Sequence, residues 1–444
     1  MKKMKKILSL LLILSLLLPS IALVACNKPV PDNGEHTDGN QKEDTGNNDG
    51  ETGETGINPD KFAPFDLPEE KIQMALDDAL DKINKKMIGT FVTTFPAHNS
   101  TNNIYPETTN TSGWNQGFWT GMLWHAYELT GNDAYRDVAM GQIPSYTKRI
   151  DEKLGTSTHD MGFLYSPSCV AAYKLTGDAQ SRETALKAAD NLLSRFHEKG
   201  SFIQAWGAVG ASNNYRLIVD CLMNIPLLYW ASEVTGQAKY RDAAFRHFNT
   251  TLTYCLRTDG STFHTYFFDP TTGAPVRGAT HQGVSDSSTW ARGQAWVIYG
   301  TMLTYSYENN FMAKNAFRVA TDYFLNHLPM DYIPYWDFTY TDGAYQPKDS
   351  SAAAIAICGI LEGVKHLDED DPLREKFISG AKRMMNSLID HYTTKNLPNA
   401  NGLILHSTYN YNSNMGIDEM NIWADYFYME ALHRFLDADW NMYW

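Results

Sequence analysis

Two aspartates stand at the beginnings of strongly apolar stretches and are the first candidates for chemistry. Asp220 lies in the run Leu217–Leu228, which contains few other polar residues, so loss of water there should raise the pKa of its carboxyl group. A carboxyl group that keeps its proton near neutral pH can act as a general acid. Asp160 precedes another apolar stretch, and its charge would raise the pKa of Asp220 further if the two lie close together. The pair suits acid–base chemistry on a sugar, although Asp is also a favoured helix N-cap.

Aromatic residues cluster near the same positions in the sequence. Sugar rings present apolar C–H faces that aromatic side chains can cover while polar neighbours bind the hydroxyl groups. We assign Trp114, Trp206 and Trp290 to the binding site, and we expect Trp124 and Trp296 to pack mainly in the core.

Three further polar residues are candidates for ligand contacts. Arg292 begins an apolar stretch, and its guanidinium group can form a fork with a ligand carboxylate or a structural ion pair with Asp349 or Asp160. His264 and Gln282 fall in a long segment rich in Gly, Thr and His, and loops on a rigid scaffold often carry binding residues.

The elements that position these residues are predicted to be helical hairpins. Six times along the chain a polar cluster runs into an apolar stretch of helix length, and the first five stretches are each followed by a turn and a charged amphipathic stretch. The six clusters are Trp114, His159-Asp160, Asp220, Trp290-Ala291-Arg292, Lys348-Asp349 and Asp418-Glu419. Six hairpins closing into a ring would form an all-α (α/α)6 barrel and bring these clusters together at one end.

The turn that joins the two helices of a hairpin recurs as a recognisable tripeptide sequence. Leu129-Thr130-Gly131, Leu175-Thr176-Gly177 and Val234-Thr235-Gly236 each place a glycine directly after a run of apolar periodicity. Glycine is the preferred residue just beyond a helix C-terminus because it adopts a left-handed conformation without steric cost. We therefore predict that a helix ends at each of these positions.

Composition and charge narrow the class of protein. The chain has 444 residues, of which 43% are hydrophobic, and its formal net charge of −14 argues against nucleic acid as a partner. No phosphate loop, zinc-binding spacing or other cofactor motif is present, so we expect no metal and no cofactor. Apart from Cys26, the cysteines are expected to be buried free thiols, with disulfides still possible in an exported protein. They are Cys169, Cys221, Cys255 and Cys358.

The N-terminal region reads as an export and anchoring segment. Lysines precede a short apolar run that ends in Leu23-Val24-Ala25-Cys26, which matches a bacterial lipobox. We predict that residues 1–26 are a lipoprotein signal, that Cys26 is lipidated, and that 27–59 form a disordered polar tether. Residues 60–444 would then be the catalytic domain, held at a bacterial membrane and facing the cell surface or the periplasm.

Several long motifs, in order, make the sequence resemble the unsaturated glucuronyl hydrolases of glycoside hydrolase family 88. The resemblance extends from about Trp114 to Trp440. The motifs are Trp114-x-x-Gly117-Phe118-Trp119, His159-Asp160-x-Gly162-Phe163, Asp220-x-x-Met223-Asn224, Ser288-x-Trp290-x-Arg292-Gly293-Gln294-Ala295-Trp296, Asp349-Ser350-Ser351-Ala352 and Asp418-Glu419.

The resemblance implies a fold, a reaction and a set of roles. It implies an (α/α)6 barrel that acts on oligosaccharides with a non-reducing-end 4,5-unsaturated uronic acid, by hydrating the C4=C5 enol ether. Asp220 would protonate C4 and activate the water that adds at C5, with Asp160 in support. The substrate-binding residues would be Trp114, His159, Trp206, His264, Gln282, Trp290, Arg292, Asn410 and Ser413.

One departure from the family bears on sulfation of the substrate. Some members that accept sulfated disaccharides carry a Ser-x-x-Ser-x-Lys pattern where this chain has Asn410, Ser413 and Met415. Without the lysine and one hydroxyl group the chain lacks obvious sulfate donors there. We therefore expect a preference for weakly sulfated or unsulfated substrates.

Three alternatives stay open at the level of sequence. An unsaturated rhamnogalacturonyl hydrolase would share the barrel and the chemistry but act on pectin fragments. A lipid-anchored glycan-binding protein would keep the fold without activity. A polysaccharide lyase on a similar toroid would create the double bond instead of consuming it.

Overall fold

The structure, a computed structural model, describes residues 59–444. The predicted signal, the lipidated Cys26 and the tether up to residue 58 lie outside the described residues. Thirteen α-helices occur in the described range. They are α1 (Glu69–Lys82), α2 (Gln116–Thr130), α3 (Asp133–Asp151), α4 (Met161–Tyr165), α5 (Ala171–Thr176), α6 (Ala179–Leu193), α7 (Pro226–Thr235), α8 (Ala238–Cys255), α9 (Ala291–Glu308), α10 (Phe311–Asn326), α11 (Ser350–Gly363), α12 (Arg374–Ser387) and α13 (Ile422–Leu436).

The helices form two concentric layers. The inner layer consists of α2, the α4–α5 pair joined by a π-helical turn, α7, α9, α11 and α13, each packed on the next, and α13 closes the ring against α2. The outer layer consists of α3, α6, α8, α10, α12 and α1. The predicted all-α (α/α)6 barrel is confirmed.

The two layers differ in burial, as the sequence pattern requires. Inner helix α11 is buried on all sides except at Leu361, because neighbours surround it completely. Outer helix α1 buries a single stripe of Ile72, Ala75, Leu76 and Ala79. This stripe packs on α13, so the outer partner of the last inner helix comes from the beginning of the domain.

The three predicted turns end their helices as expected. Gly131, Gly177 and Gly236 have φ values of 66°, 73° and 70°, in the left-handed region that favours glycine. In the first turn, the Thr130 hydroxyl donates to the Ala126 carbonyl and accepts from the Asn132 N–H. The same two bonds recur in the other two turns, so the threonine satisfies backbone groups left free at the helix end.

Short antiparallel strands occupy the loops that lead into the inner helices, and they surround the end of the barrel where those helices begin. That end is called the mouth below. The pairs are β1 (Phe95–Pro96) with β2 (Glu107–Thr108), β3 (Phe196–His197) with β4 (Phe202–Ile203), and β8 (Ser407–Asn410) with β9 (Met415–Glu419), and a three-stranded sheet has β5 (Arg216–Ile218), β6 (Thr265–Phe268) and β7 (Pro275–Ala279) in that order.

The fifth and sixth polar clusters lie at the mouth but do not line the cavity described below. The last inner helix begins at Ile422, three residues after Glu419. Glu419 accepts hydrogen bonds from the Ser100 hydroxyl and from the backbone N–H groups of Asn102 and Asn103, which anchors the loop before β2. Asp418 is exposed. Its carboxylate pairs with His406, so both residues have partners within the protein and neither lines the cavity.

The four cysteines of the described region are buried free thiols. None of the helices between residues 59 and 444 is both long and apolar enough to span a membrane.

Candidate active site

A cavity of about 220 Å³ opens at the mouth of the barrel and collects most of the residues predicted for the site. Nine of the predicted residues line it: Trp114, His159, Asp160, Trp206, Asp220, Gln282, Trp290, Arg292 and Asn410. His281 and Tyr409 line it as well and were not predicted. His264 is buried just behind this lining, against Trp290 and Asp220.

Asp160 and Asp220 are brought together by close packing of the two segments that carry them. Asp160 directly precedes α4, and Asp220 lies in a 3₁₀ turn, Val219–Met223, just before α7. A Cβ atom on Gly162 would lie 2.4 Å from the Asn224 Cα, so only glycine permits this approach. The Asn224 Oδ1 also accepts a hydrogen bond of 2.9 Å from the Phe163 N–H.

The two aspartates do not cap their helices, which was the simpler interpretation of their positions. Asp160 makes no side-chain hydrogen bond to the first turn of α4. By contrast, Asn132, Asp178 and Asn310 cap the outer helices α3, α6 and α10 through their side chains. The carboxyl group of Asp160 is therefore available to the cavity.

The surroundings of the Asp220 carboxyl group favour its protonated form, as a general acid requires. Its side chain is 19% exposed, and Oδ1 is buried without a hydrogen-bond partner among the described residues. Burial raises the pKa of Asp220 to about 7, and the nearby charge of Asp160 adds to the rise. Near neutral pH this group holds its proton in a substantial part of the molecules.

Asp160 is held by two polar neighbours. Its Oδ2 accepts a hydrogen bond of 2.5 Å from the Thr158 hydroxyl, and its Oδ1 lies 3.3 Å from the His159 Nε2. Burial raises the pKa of Asp160 to about 6, while the Thr158 hydrogen bond opposes the rise. Asp160 therefore loses its proton at lower pH than Asp220 does, which gives the two carboxyl groups different charges near neutral pH.

His264 is oriented toward Asp220 by main-chain donors. The His264 Nδ1 accepts from the backbone N–H groups of His281 and Gln282, at 3.1 and 3.3 Å. Burial lowers the pKa of His264 well below its ordinary value, so the ring is neutral. Because Nδ1 is an acceptor, the single ring proton must sit on Nε2, which lies 4.0 Å from the Asp220 Oδ1.

Arg292 forms the structural ion pair with Asp349. Its Nη1 binds the Asp349 carboxylate and also donates 2.7 Å to the Thr408 carbonyl, while Nη2 donates 2.6 Å to the Tyr409 carbonyl. Both terminal nitrogens of Arg292 are thus bound to groups within the protein. This geometry favours Arg292 as part of the cavity wall over a fork with a ligand carboxylate, and its binding role stays a prediction.

The tryptophans divide as expected between cavity and core. Trp114 is half-buried, and its Nε1 donates 3.0 Å to the Tyr409 hydroxyl. Trp290 packs its ring 4.4 Å from that of His264, and Trp206 lies 5.4 Å from the ring of His281. Trp124 and Trp296 are fully buried. The first three line the cavity, and the latter two are packing residues.

The β8–β9 hairpin supplies the part of the cavity that sequence reasoning described least well. Tyr409 lies on β8, and its backbone carbonyl accepts 2.7 Å from the Gln282 Nε2. Asn410 lines the cavity, and its Oδ1 accepts from the Ser413 N–H. Ser413 itself is exposed and does not line the cavity, so its predicted contact with substrate has no support in the geometry. A strand of four residues with mixed polarity gives little periodic signal, which is why Tyr409 was missed.

Within residues 59–444, no group of three or more His, Cys, Asp or Glu side chains is placed to hold a metal ion. The cavity lining offers carboxyl groups, imidazole rings, amides and aromatic surfaces.

An α/α toroid with unlike, buried carboxyl groups in an aromatic-lined cavity is the arrangement expected of a carbohydrate-active enzyme. The family described as Glycosyl Hydrolase Family 88 matches residues 83–435. The chain belongs to this family.

Individual relatives agree with the family. Over 387 residues, 87% of this chain and 97% of the relative, the sequence is 45% identical to the unsaturated chondroitin disaccharide hydrolase of Streptococcus pneumoniae (strain ATCC BAA-255 / R6). It is 41% identical over 374 residues to the unsaturated glucuronyl hydrolase of Bacillus sp. (strain GL1), covering 84% of this chain and 98% of the relative. The crystal structure of unsaturated glucuronyl hydrolase from Streptococcus agalactiae is similar with a TM-score of 0.85 and 45% identity, over 87% of this chain and 97% of the other.

Proposed function

We propose that this protein hydrolyses oligosaccharides that carry a 4,5-unsaturated uronic acid at the non-reducing end, the products that polysaccharide lyases leave from glycosaminoglycans. Family membership and the named relatives support this activity. The observation that carries it is the buried Asp220 carboxyl group, with a pKa of about 7, next to Asp160 in the cavity.

The reaction begins with proton transfer to carbon. Protonated Asp220 donates its proton to C4 of the enol ether, and positive charge develops at C5 and the ring oxygen. The Asp220 carboxylate that remains accepts a proton from a water molecule, which adds at C5. The product is a hemiketal at C5, which rearranges by opening the sugar ring and releases the neighbouring saccharide. One residue thus acts first as acid and then as base.

The surrounding residues support these steps without taking part in covalent chemistry. Ionised Asp160 accepts hydrogen bonds from ring hydroxyl groups, and its charge favours the protonated form of Asp220 and stabilises the cationic transition state. The Nε2–H of His264 faces Asp220, where it stabilises the carboxylate formed after proton transfer. Trp114 and Trp290 cover the apolar faces of the sugar.

The enol ether provides a direct assay, because its ultraviolet absorbance disappears on hydration. Unsaturated disaccharides from chondroitin and hyaluronan should lose this absorbance in the presence of the protein. A gain of absorbance on intact polysaccharide would instead indicate a lyase, and binding without change would indicate a glycan-binding protein. Faster turnover of unsaturated rhamnogalacturonyl fragments would favour the pectin-directed alternative.

The preference for weakly sulfated or unsulfated substrates is part of the proposal. The cavity-lining Asn410 and the exposed Ser413 and Met415 present no cation near this edge of the mouth. Comparison of rates on an unsulfated disaccharide and on its 6-sulfated counterpart tests this preference. A much higher rate on the 6-sulfated substrate would overturn it.

The proposed place of action is a bacterial membrane surface. The lysine-rich start, the short apolar run and the Leu23-Val24-Ala25-Cys26 sequence support lipidation at Cys26, and the polar residues that follow support a tether. Expression in a bacterial host with and without Cys26→Ala, followed by membrane fractionation, tests the anchor. Equal release of both forms into the soluble fraction would contradict it.

A further inference from the structure

Arg216 is a half-buried cation beside the cavity that no carboxylate of the described residues neutralises. It lies on β5, and its guanidinium carbon sits 4.5 Å from the ring centre of Trp206 and 5.0 Å from that of Phe267. Its Nε donates 2.8 Å to the Asn214 Oδ1, and the Asn214 amide in turn binds the Trp206 carbonyl. The side chain is therefore fixed in place by two rings and one amide.

The two terminal nitrogens of Arg216 have no protein partner between residues 59 and 444. Other arginines near the mouth are satisfied: Arg292 pairs with Asp349, Arg277 pairs with Asp286, and Arg195 donates to two backbone carbonyls. Burial lowers the pKa of Arg216, as expected for a charge that has lost part of its water without gaining a counter-charge. An anion bound at Nη1 and Nη2 would offset this cost.

The position of Arg216 places this charge at the rim of the cavity rather than at its floor. Trp206, on which Arg216 stacks, is half-exposed, and His281 beside it is exposed. The floor is formed by residues such as His159 and Trp290, which are at most 3% exposed. With C4 of an unsaturated uronate at Asp220, the attached saccharide must lie toward the open rim of the cavity, and Trp206 is part of that rim.

The charges around the cavity make Arg216 suited to bind an anionic group. The protein has a net charge of −14, so an acidic substrate needs locally placed positive charge. The Arg292 charge is neutralised by Asp349, and burial lowers the pKa of His159 to about 3, which keeps that ring uncharged. The charge of Arg216 acts on a residue of the cavity lining, since it contributes to the lowered pKa of His281.

We propose that Arg216 is a specificity-determining residue, which binds an anionic group on the leaving saccharide next to the unsaturated uronate. The inference rests on the proposed function. The ligand chemistry is an oxyanion that accepts two parallel N–H donors, either the carboxylate of a second uronic acid or a sulfate ester.

The test compares three unsulfated or singly sulfated substrates. The first is an unsaturated disaccharide with a neutral leaving sugar, the second carries a sulfate ester at C4 of that sugar, and the third is an unsulfated tetrasaccharide with a second uronate. Each is measured with the unaltered protein, with Arg216→Gln, and with Arg277→Gln as a control. Arg277 is exposed and paired with Asp286, so its loss removes one positive charge of the same region without touching Trp206.

Arg216→Gln should lower kcat/KM by about tenfold or more on the anionic leaving saccharides relative to the neutral disaccharide, mainly through KM. The anionic substrate whose kcat/KM falls relative to the neutral disaccharide identifies the ligand. A fall on the tetrasaccharide indicates the carboxylate, and a fall on the sulfated disaccharide indicates the sulfate. Arg277→Gln should leave the ratio unchanged. Arg216→Lys keeps the charge but not the planar fork, so it should retain only part of the preference, and it serves if the Gln variant fails to fold.

An equal loss on all three substrates would mean that Arg216 only holds Trp206 in place, and an unchanged ratio would mean that it binds no substrate anion. Either result overturns the inference while leaving the proposed function intact. Failure of the proposed function looks different, because the unaltered protein would then turn over none of the three substrates.

Discussion

Gly162 packs directly against the backbone of Asn224, and this contact sets the relation between the two carboxyl groups of the site. Gly162 follows Asp160 by two residues, and Asn224 follows Asp220 by four. The Asn224 side chain also bonds to both segments, accepting from the Phe163 N–H and donating to the Asp220 carbonyl. Two short stretches far apart in sequence are thereby joined at the level of the main chain.

The first prediction follows from this contact. Gly162→Ala would place a methyl group 2.4 Å from the Asn224 Cα, so the two segments must separate by a substantial fraction of an ångström. We expect lower thermal stability and a loss of kcat/KM of about a hundredfold, because a small misplacement of catalytic groups is costly. Gly141→Ala is the matched control, since nothing lies within 4 Å of its added Cβ on outer helix α3. That variant should keep full activity and be no less stable. Full activity in Gly162→Ala would show that the contact does not position the carboxyl groups.

The second prediction concerns the proton donor itself. Asp220→Asn preserves volume but removes the transferable proton, so turnover should fall by about a thousandfold or more. Circular dichroism and the thermal transition should remain those of a folded protein. Asp418→Asn is the control, because Asp418 is an exposed aspartate on β9 outside the cavity and its left-handed backbone, φ 58°, suits Asn. Normal turnover by Asp220→Asn would remove this residue from the mechanism.

The third prediction is a bell-shaped dependence of kcat/KM on pH. The pKa of about 6 for Asp160 means that its supporting charge is lost below that pH, and the pKa of about 7 for Asp220 means that the proton donor is lost above it. Activity should therefore be greatest between about pH 6 and 7. In Asp160→Asn the charge that raises the pKa of Asp220 is gone, so the alkaline limb should move to lower pH, together with an overall loss of rate. An alkaline limb that does not move would mean that the two groups are not coupled.

Local signals in the sequence predicted the helical hairpins but not the contact that closes the ring. Each inner helix is a run of apolar residues and each predicted turn carries its glycine, so the hairpins follow from periodicity and capping alone. The outer partner of α13 could not be predicted, because α1 lies more than 300 residues earlier and nothing local indicates that pairing. Ring closure depends on a contact between the two ends of the domain.

Residues next to a helix start were predicted from local pattern, whereas residues that a loop positions were predicted only in part: Gln282 and Asn410 were predicted, but their neighbours in the chain were not. Asp160 and Asp220 belong to the first kind. Tyr409 and His281 belong to the second, since the β8–β9 hairpin and the loop after β7 fold over the mouth through contacts distant in sequence. The sequence left two partners open for Arg292, and the choice of Asp349 depends on how α9 and α11 pack.

The fourth prediction tests the structural role of that ion pair. Arg292 and Asp349 are 1% and 0% exposed, so Asp349→Ala would leave a buried guanidinium group without its counter-charge. We expect a loss of about 3–5 kcal/mol in the free energy of unfolding. Asp286→Ala breaks the exposed pair with Arg277 and should change stability by less than about 1 kcal/mol. Urea unfolding of both variants measures the two losses in the free energy of unfolding. Similar small losses would contradict a structural role for the buried pair.

The fifth prediction links the catalytic carboxyl group to stability. The folded protein raises the pKa of Asp220 from its ordinary 3.8 to about 7, so the folded state binds this proton more tightly than the unfolded state does. The contribution of Asp220 to stability therefore becomes less favourable as pH rises from about 4 to 7 and then stays constant. Asp220→Asn carries no such dependence. Its stability relative to the unaltered protein should increase by about 2–3 kcal/mol between roughly pH 5 and pH 8, since one pKa unit corresponds to about 1.4 kcal/mol.

Urea unfolding of both proteins at the two pH values measures this difference. Asp66→Asn provides the reference, because Asp66 is an exposed aspartate whose side chain has no hydrogen-bond or ion-pair partner among the described residues, so its replacement should give no comparable trend. A stability difference that does not change with pH would mean that Asp220 ionises normally in the folded protein. Such a group would hold too few protons at neutral pH to protonate carbon, so the same measurement, made without any substrate, tests the physical basis of the proposed acid.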